Sequence, residues 1–313
     1  MGPFMEWNLN CLRALAALRT PLGDAVFSTL TELGGETAFM LVMMVVFWCV
    51  DKRRGYALML VGFCGTLVNQ ALKITFCVPR PWVLDPEFEI VEAARAAATG
   101  FSFPSGHTQN AVGIYGSLAY MTRGWQRIAC LALALLVPFS RLYLGVHTPL
   151  DVGVSFVLAW GLVFLVRQLM EEAQRRPALL VRAWLVLALP AALFVVYALR
   201  VRAGASGDLT NFHSGVKNAW TMLGLVLGAA ATAAVDRHYT RFETQAVWWA
   251  QLLKIVLGLA LTLAVRSALK PPLTALFGAN SVGDGIRYFA MLLAAGVLYP
   301  MTFGWFASLG RRR

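Results

Sequence analysis

Long apolar runs alternate with short polar or basic breaks along the chain, and most are too long for buried strands. The run at 34–50 (GGETAFMLVMMVVFWCV) is closed by Asp51-Lys52-Arg53-Arg54, and a second extends from Tyr56 to about Ile74. A polar stretch at 82–103 follows, and its EIVEAARAAA portion predicts a short helix at the membrane interface. Further spans are expected from Ser105 to Met121, over 128–140, and from Pro149 to about Met170. After a basic linker (Glu171, Glu172, Arg175, Arg176) come four more runs, near 180–199, 216–235, 246–268 and 285–309. The small residues of GLVLGAAATAA suit close helix packing. Residues 5–32 are only moderately apolar, interrupted by Arg13, Arg19 and Asp24, and read as an amphipathic helix on the membrane surface. The pattern therefore predicts an all-α, polytopic transmembrane helical bundle of about nine spans with an N-terminal interfacial helix.

Composition agrees with that pattern. Of 313 residues, 58% are hydrophobic and 14% charged, where soluble domains carry about 25% charged residues. The net charge of +11 raises nucleic acid as a partner, but no basic stripe interleaved with aromatics supports one. The positive charge follows the loops instead. If the 51–54 loop is cytoplasmic, so are the 121–127, 167–182 and 236–243 loops and the C-terminal tail. Together these hold fourteen of the 27 Lys and Arg against five acidic residues, which places the loops at 75–104 and 141–148 on the opposite side. The five cysteines (Cys11, Cys49, Cys64, Cys77, Cys130) form no CxxC pair, so neither a disulfide framework nor a zinc site is indicated. No signal-peptide pattern is expected at the N-terminus.

Ionisable groups at membrane depth are costly and call for an explanation. Three clusters fall on the same expected side: Lys73 and Arg80-Pro81 in KITFCVPRP, Pro104-Ser105-Gly106-His107, and Ser140, Arg141, His147 and Asp151 in SRLYLGVHTPLD. Lys73, Arg80 and Arg141 converging on one face suit a multiply charged anion, and guanidinium forks match phosphate oxygens. Ser105 and Gly106 stand where a helix should begin, and free N–H groups there bind anions. His147 and Asp151 are four residues apart, so a carboxylate can orient one imidazole nitrogen and leave the other free to attack. His107 can protonate a leaving oxygen. Taken singly, Thr148-Pro149-Leu150-Asp151 reads equally as a helix cap, Ser105 as another cap, and Lys73 and Arg80 as interfacial anchors. Three cations beside a single carboxylate disfavour a metal site. Lys254, in WWAQLLKIVLG, reads either as a substrate or headgroup contact or as a lysine that is paired with a carboxylate or reaches water.

The pattern K-x6-RP, PSGH, SR-x5-H-x3-D resembles the tripartite signature of the type-2 phosphatidic acid phosphatase superfamily, which also includes the vanadium haloperoxidases, over about residues 35–170. The resemblance implies a metal-free, cofactor-free hydrolase with a six-helix core. His147 would become a phosphohistidine, Asp151 would orient it, and His107 would protonate the leaving group. Lys73, Arg80, Ser105, Gly106 and Arg141 match phosphate-binding positions. Residues 1–174 are then expected to be a catalytic bundle and 175–313 an accessory C-terminal transmembrane bundle. The expected reaction is hydrolysis of a lipid phosphate or polyprenyl diphosphate, at the outward face of a bacterial-type inner membrane. The partners are the bilayer and that lipid substrate, with no nucleic acid; no oligomeric state is implied. The RPWVLD run and the nine-span layout also resemble the glucose-6-phosphatase branch, which raises a sugar-phosphate phosphatase, or a lipid phosphotransferase, as an alternative. A non-catalytic, anion-binding lipid transporter is the reading of another class.

Overall fold

The computed structural model describes residues 2–204, 209–278 and 281–309. They form α1 (Pro3–Ala16), α2 (Pro21–Thr31), α3 (Glu36–Val45), α4 (Lys52–Phe76), α5 (Pro81–Leu84), α6 (Gly106–Ala111), α7 (Ser117–Met121) and α8 (Gly124–Tyr143). The chain continues through α9 (Pro149–Arg175), α10 (Ala178–Gly204), α11 (Leu209–Val235), α12 (Trp248–Ala268), α13 (Lys270–Phe277), α14 (Val282–Leu293) and α15 (Phe303–Ser308). Among the described residues there is no strand, so the all-α expectation holds.

Among the described residues seven helices are long and apolar enough to cross a membrane, or eight if the bent pair of helices at Pro21–Gly34 and Glu36–Val50 is one span. The count of nine is not confirmed. The helix that runs from Gly106 through a π turn at Val112–Gly116 to Met121 is only about 24 Å long at 1.5 Å per residue, short of the hydrocarbon thickness. The single surface helix expected over 5–32 is two helices. They break before Pro21, where Thr20 caps α2 by accepting the Gly23 N–H at 3.1 Å. In the 82–103 stretch, Glu92–Ala94 is one 3₁₀ turn rather than a surface helix. Its apolar residues are spent on a core instead.

The chain divides into two compact units, each assembled from three segments. Unit one comprises Met1–Met40, Cys64–Leu165 and Ala205–Gly215. In it Leu12, Phe88, Ile90, Ala94, Ala98, Tyr143, Leu144 and Val146 form a buried cluster under the long loop after α5 and the tight loop after α8. Arg19 joins the same two loops: its Nε donates to the Tyr143 carbonyl at 2.8 Å and its Nη1 to the Glu89 carbonyl at 2.7 Å. Gly145 has φ 78, and a Cβ there would lie 2.6 Å from the Arg19 guanidinium.

Unit two comprises Leu41–Phe63, Val166–Gly204 and Val216–Arg313. Asp51 opens α4 by accepting the N–H groups of Arg53 and Arg54 at 2.7 and 3.2 Å. The small residues of α11 pack as their spacing predicts: a Cβ on Gly224 would strike the Gly285 backbone of α14. Lys254 is fully buried, with Nζ donating to the carbonyls of Trp48 and Thr244 at 3.3 and 3.0 Å and lying 4.3 Å from the centre of the Phe303 ring. Among the described residues it meets no carboxylate, and it is closed to solvent, so carbonyl dipoles and aromatic faces take the place of a counter-ion.

Gly145→Ala should destabilise the protein by about 1–3 kcal/mol, through positive φ and displacement of Arg19. The thermal unfolding midpoint of purified protein measures this; an unchanged midpoint would contradict the role given to that glycine.

Candidate active site

All eight residues singled out for chemistry lie in unit one. Lys73 is in the last turn of α4, which stops where Cys77, at φ 48, donates its N–H to the Lys73 carbonyl at 3.0 Å. Arg80 then precedes Pro81 at the first position of α5. Ser105 is the N-cap of α6, its Oγ accepting the Thr108 N–H at 3.4 Å, so Gly106 and His107 are the first two helical residues. Arg141 occupies the last turn of α8, His147 the tight loop beyond it, and Asp151 the first turn of α9.

Asp151 and Thr148 form a capping box. The Thr148 N–H donates to Asp151 Oδ2 at 2.8 Å, and the Asp151 N–H donates to Thr148 Oγ1 at 3.3 Å. The helix-cap reading is therefore correct, and it does not compete with the chemical one. The same Oδ2 atom receives Ser102 Oγ at 2.6 Å and lies 3.3 Å from His147 Nδ1. The main chain at Asp151 reaches the PSGH segment too, its carbonyl accepting the Ser105 N–H at 3.1 Å.

On the other side of the imidazole, Arg80 Nη1 stands 2.9 Å from His147 Nε2. A guanidinium can only donate, so Nε2 is the acceptor and the hydrogen sits on Nδ1, facing Asp151. His147 is 2% exposed. Burial first, and then the charges of Arg80, Arg141, Lys73 and His107, hold it well below the ordinary histidine range. At neutral pH it is uncharged, with a lone pair on Nε2.

Among the described residues two of the cations are held by backbone oxygens and the third by a hydroxyl, none by an ion pair with an acid. Arg80 donates to the carbonyls of Thr99, Gly100 and Val146 at 2.6, 3.1 and 3.0 Å. Lys73 donates to the carbonyls of Phe101 and Ser102. Arg141 gives Nη1 to Thr31 Oγ1 at 2.7 Å, while its Nε and Nη2 are buried with no partner among the described residues. His107 is half-buried, and Gly106 would bring a Cβ to 3.9 Å from Asn69 Oδ1. Among the described residues no three of His, Cys, Asp and Glu are grouped to hold a metal ion.

Sequence reasoning missed Ser102 and Thr31, which orient Asp151 and Arg141, and Asn69, whose Nδ2 holds the Pro104 carbonyl at 3.3 Å. Nothing in their spacing marks them, because each meets its partner only through the fold. The tautomer can be tested directly. Nitrogen chemical shifts of His147 should report protonated Nδ1 and bare Nε2 at neutral pH, with no titration as pH falls past the ordinary value of 6.5. Below that value the unfolded chain takes up a proton that the buried ring refuses, so stability falls with pH. Titration of His147 near 6.5 would refute the arrangement.

The PAP2 superfamily profile matches residues 54–175, and the profile described as PAP2 superfamily phosphatase, transmembrane extension, matches residues 220–312. The chain is 31% identical over 180 residues to phosphatidylglycerophosphatase B of Bacillus subtilis, covering 52% of this chain and 83% of that protein. It is 27% identical over 146 residues to undecaprenyl-diphosphatase BcrC of the same organism, covering 45% and 72%. Among solved structures, Aquifex aeolicus LpxE matches at 26% identity with a TM-score of 0.46, over 52% of this chain and 95% of that one. The chain belongs to the PAP2 superfamily, and it is a membrane phosphatase.

Proposed function

We propose that this phosphatase hydrolyses a lipid phosphate or polyprenyl diphosphate through a phosphohistidine on His147, without a metal ion. The observation that carries this reading is His147 itself: an uncharged imidazole with Nδ1 on a buried carboxylate and Nε2 facing an arginine N–H. A phosphate bound by Arg80 is thereby delivered to the nitrogen that attacks it. The two unpartnered donor nitrogens of Arg141, Nε and Nη2, support the same reading, because buried guanidinium donors that lack acceptors among the described residues are suited to an incoming oxyanion. The α6 amides at Gly106 and His107 add donors from a helix start.

In the first step the Nε2 lone pair forms the N–P bond while the bond from phosphorus to the leaving oxygen breaks. His107 gives that oxygen a proton, and the dianion entering among the cations raises the affinity of His107 for the proton it delivers. Asp151 stabilises the positive charge that develops on the His147 ring. In the second step water attacks phosphorus, His107 takes a proton from it, and the N–P bond returns its electrons to Nε2. Lys73, Arg80 and Arg141 bear the equatorial oxygens throughout.

Residues 1–174 would supply this chemistry and 175–313 the accessory bundle; the two family matches, at 54–175 and 220–312, support that division. The lipid class is supported by the names of the relatives, which act on phosphatidylglycerophosphate and undecaprenyl diphosphate. The charge bias of the loops supports an active site facing outward from a bacterial-type inner membrane.

His147→Ala should abolish phosphate release from folded protein. Asp151→Asn should lower kcat by about three to four orders of magnitude, and Ser102→Ala by about tenfold with KM nearly unchanged. Substantial turnover by His147→Ala would end the phosphohistidine reading. Activity should survive EDTA and be inhibited by vanadate; loss on chelation that magnesium or zinc restores would assign a different mechanism. For sidedness, single cysteines are placed in a background with the natural ones replaced. Glu87→Cys should react with an impermeant thiol reagent on intact cells and Arg123→Cys should not, and the reverse pattern would turn the site toward the cytoplasm.

A further inference from the structure

Unit two holds a second concentration of positive charge that the proposed reaction does not use. A cavity of about 230 Å³ is lined by Lys52 and Arg53 at the start of α4 and by Arg237 and Arg241 beyond α11. The carboxylate in its lining, Asp236, is already taken. Its Oδ1 accepts from Lys52 Nζ at 2.9 Å, and from Thr240 Oγ1 and the Phe242 N–H at 3.3 Å. Lys52 also lies 4.7 Å from the centre of the Phe242 ring. Arg53, Arg237 and Arg241 have no carboxylate partner among the described residues, and three positive charges therefore stand unmatched around one cavity.

Arg241 is presented there by strained backbone, at φ 40, with its N–H on the Asp236 carbonyl at 2.9 Å. Arg53, Arg237 and Arg241 are exposed, and Arg241 Nε donates to the Arg237 carbonyl at 3.3 Å, which keeps those two residues side by side. A second and independent feature lies in the same cavity. Tyr56 lines it with its ring 2% exposed, stacked edge-on against Phe47 at 5.1 Å, and its hydroxyl is buried with no hydrogen-bond partner. A buried hydroxyl is ordinarily satisfied. The remaining wall is mostly apolar, with Met170 and Ala173 from α9, Leu180 and Val181 from α10 and Ala233 from α11, and Gln174 is its one polar side chain.

Cations, one buried O–H donor and an apolar flank together describe a binding site for a phosphate headgroup. We propose that this cavity binds the phosphate of an anionic lipid, apart from catalysis. Among the described residues no histidine, serine or cysteine lines it, so it lacks the paired imidazole and carboxylate on which the proposed reaction rests, and it is read as a site that holds a phosphate. Its volume is below the range of about 300–1,000 Å³ of sites that enclose whole small ligands, which fits a headgroup whose acyl chains remain in the bilayer. Basic pockets between membrane helices recognise lipid phosphates by this combination of charge and shape. Free inorganic phosphate shares the chemistry, and the experiment has to separate the two sources.

Full-length protein is reconstituted in nanodiscs of phosphatidylcholine with phosphatidylglycerol, and retained lipid is counted by native mass spectrometry. Phosphatidylglycerol should be retained in preference to phosphatidylcholine. Arg53→Gln with Arg237→Gln should reduce that retention by about tenfold and Tyr56→Phe by about threefold, with phosphate release unchanged in both. Unchanged phosphate release also shows that the variants fold. In lipid-free detergent, a rise in the unfolding midpoint with inorganic phosphate that the double variant alone loses would keep the site and assign it to the free anion. Equal retention of the two lipids, or wild-type retention in the double variant, would overturn the proposal.

Discussion

One oxygen atom, Oδ2 of Asp151, accepts the Thr148 N–H and the Ser102 hydroxyl and faces His147 Nδ1. The first contact starts helix α9, the second ties down the loop before PSGH, and the third sets the tautomer of the imidazole. Capping a helix and orienting a base are usually weighed as rival explanations for such an aspartate. Here they are the same geometry. The cap holds the carboxylate still, and a carboxylate held still can fix a ring whose other nitrogen is left for chemistry. Removing the oxygen would loosen the helix start and the loop as well as the ring.

Around that atom the protein solves a problem of charge. Lys73, Arg80 and Arg141 are all buried in unit one, and three buried cations cannot be balanced by one aspartate. Backbone carbonyls take much of the load: those of Phe101 and Ser102 for Lys73, and those of Thr99, Gly100 and Val146 for Arg80. These oxygens are dipoles, not charges, so they position the cations and leave the positive field largely intact. Burial first, and then this field, keep His147 unprotonated, and the field would draw a phosphate toward it. Arg141 keeps two donor nitrogens, Nε and Nη2, without a partner among the described residues. The small apolar core under the loops, with Arg19 bound across them, is what makes those carbonyl positions durable.

Unit two treats buried positive charge differently. Lys254 is sealed among carbonyls and aromatic rings and turned inward, which makes it a structural tie rather than a substrate contact. Lys52 neutralises Asp236 and leaves the neighbouring arginines unmatched. A lysine in the middle of a span and a basic loop look alike as exceptions to hydrophobic patterning. Their meanings separate only when the partners are seen.

The sequence by itself determined the membrane class, the helical architecture and the candidate site. Span length and the cost of charge in a bilayer leave few other readings of this pattern. The spacing of the three motifs likewise marks all eight candidate residues before any fold is known. The span count was less legible, because apolar character admitted the short Ser105–Met121 run as a span and does not reveal that the 21–50 segment bends. Ser102, Thr31 and Asn69 could not be read at all, since each lies tens of residues or more from the group it holds. Tertiary structure alone decided which imidazole nitrogen is free, how the cations are held, and where Lys254 turns. Those outcomes depend on hydrogen-bond partners distant in the chain, and no local period or spacing encodes them.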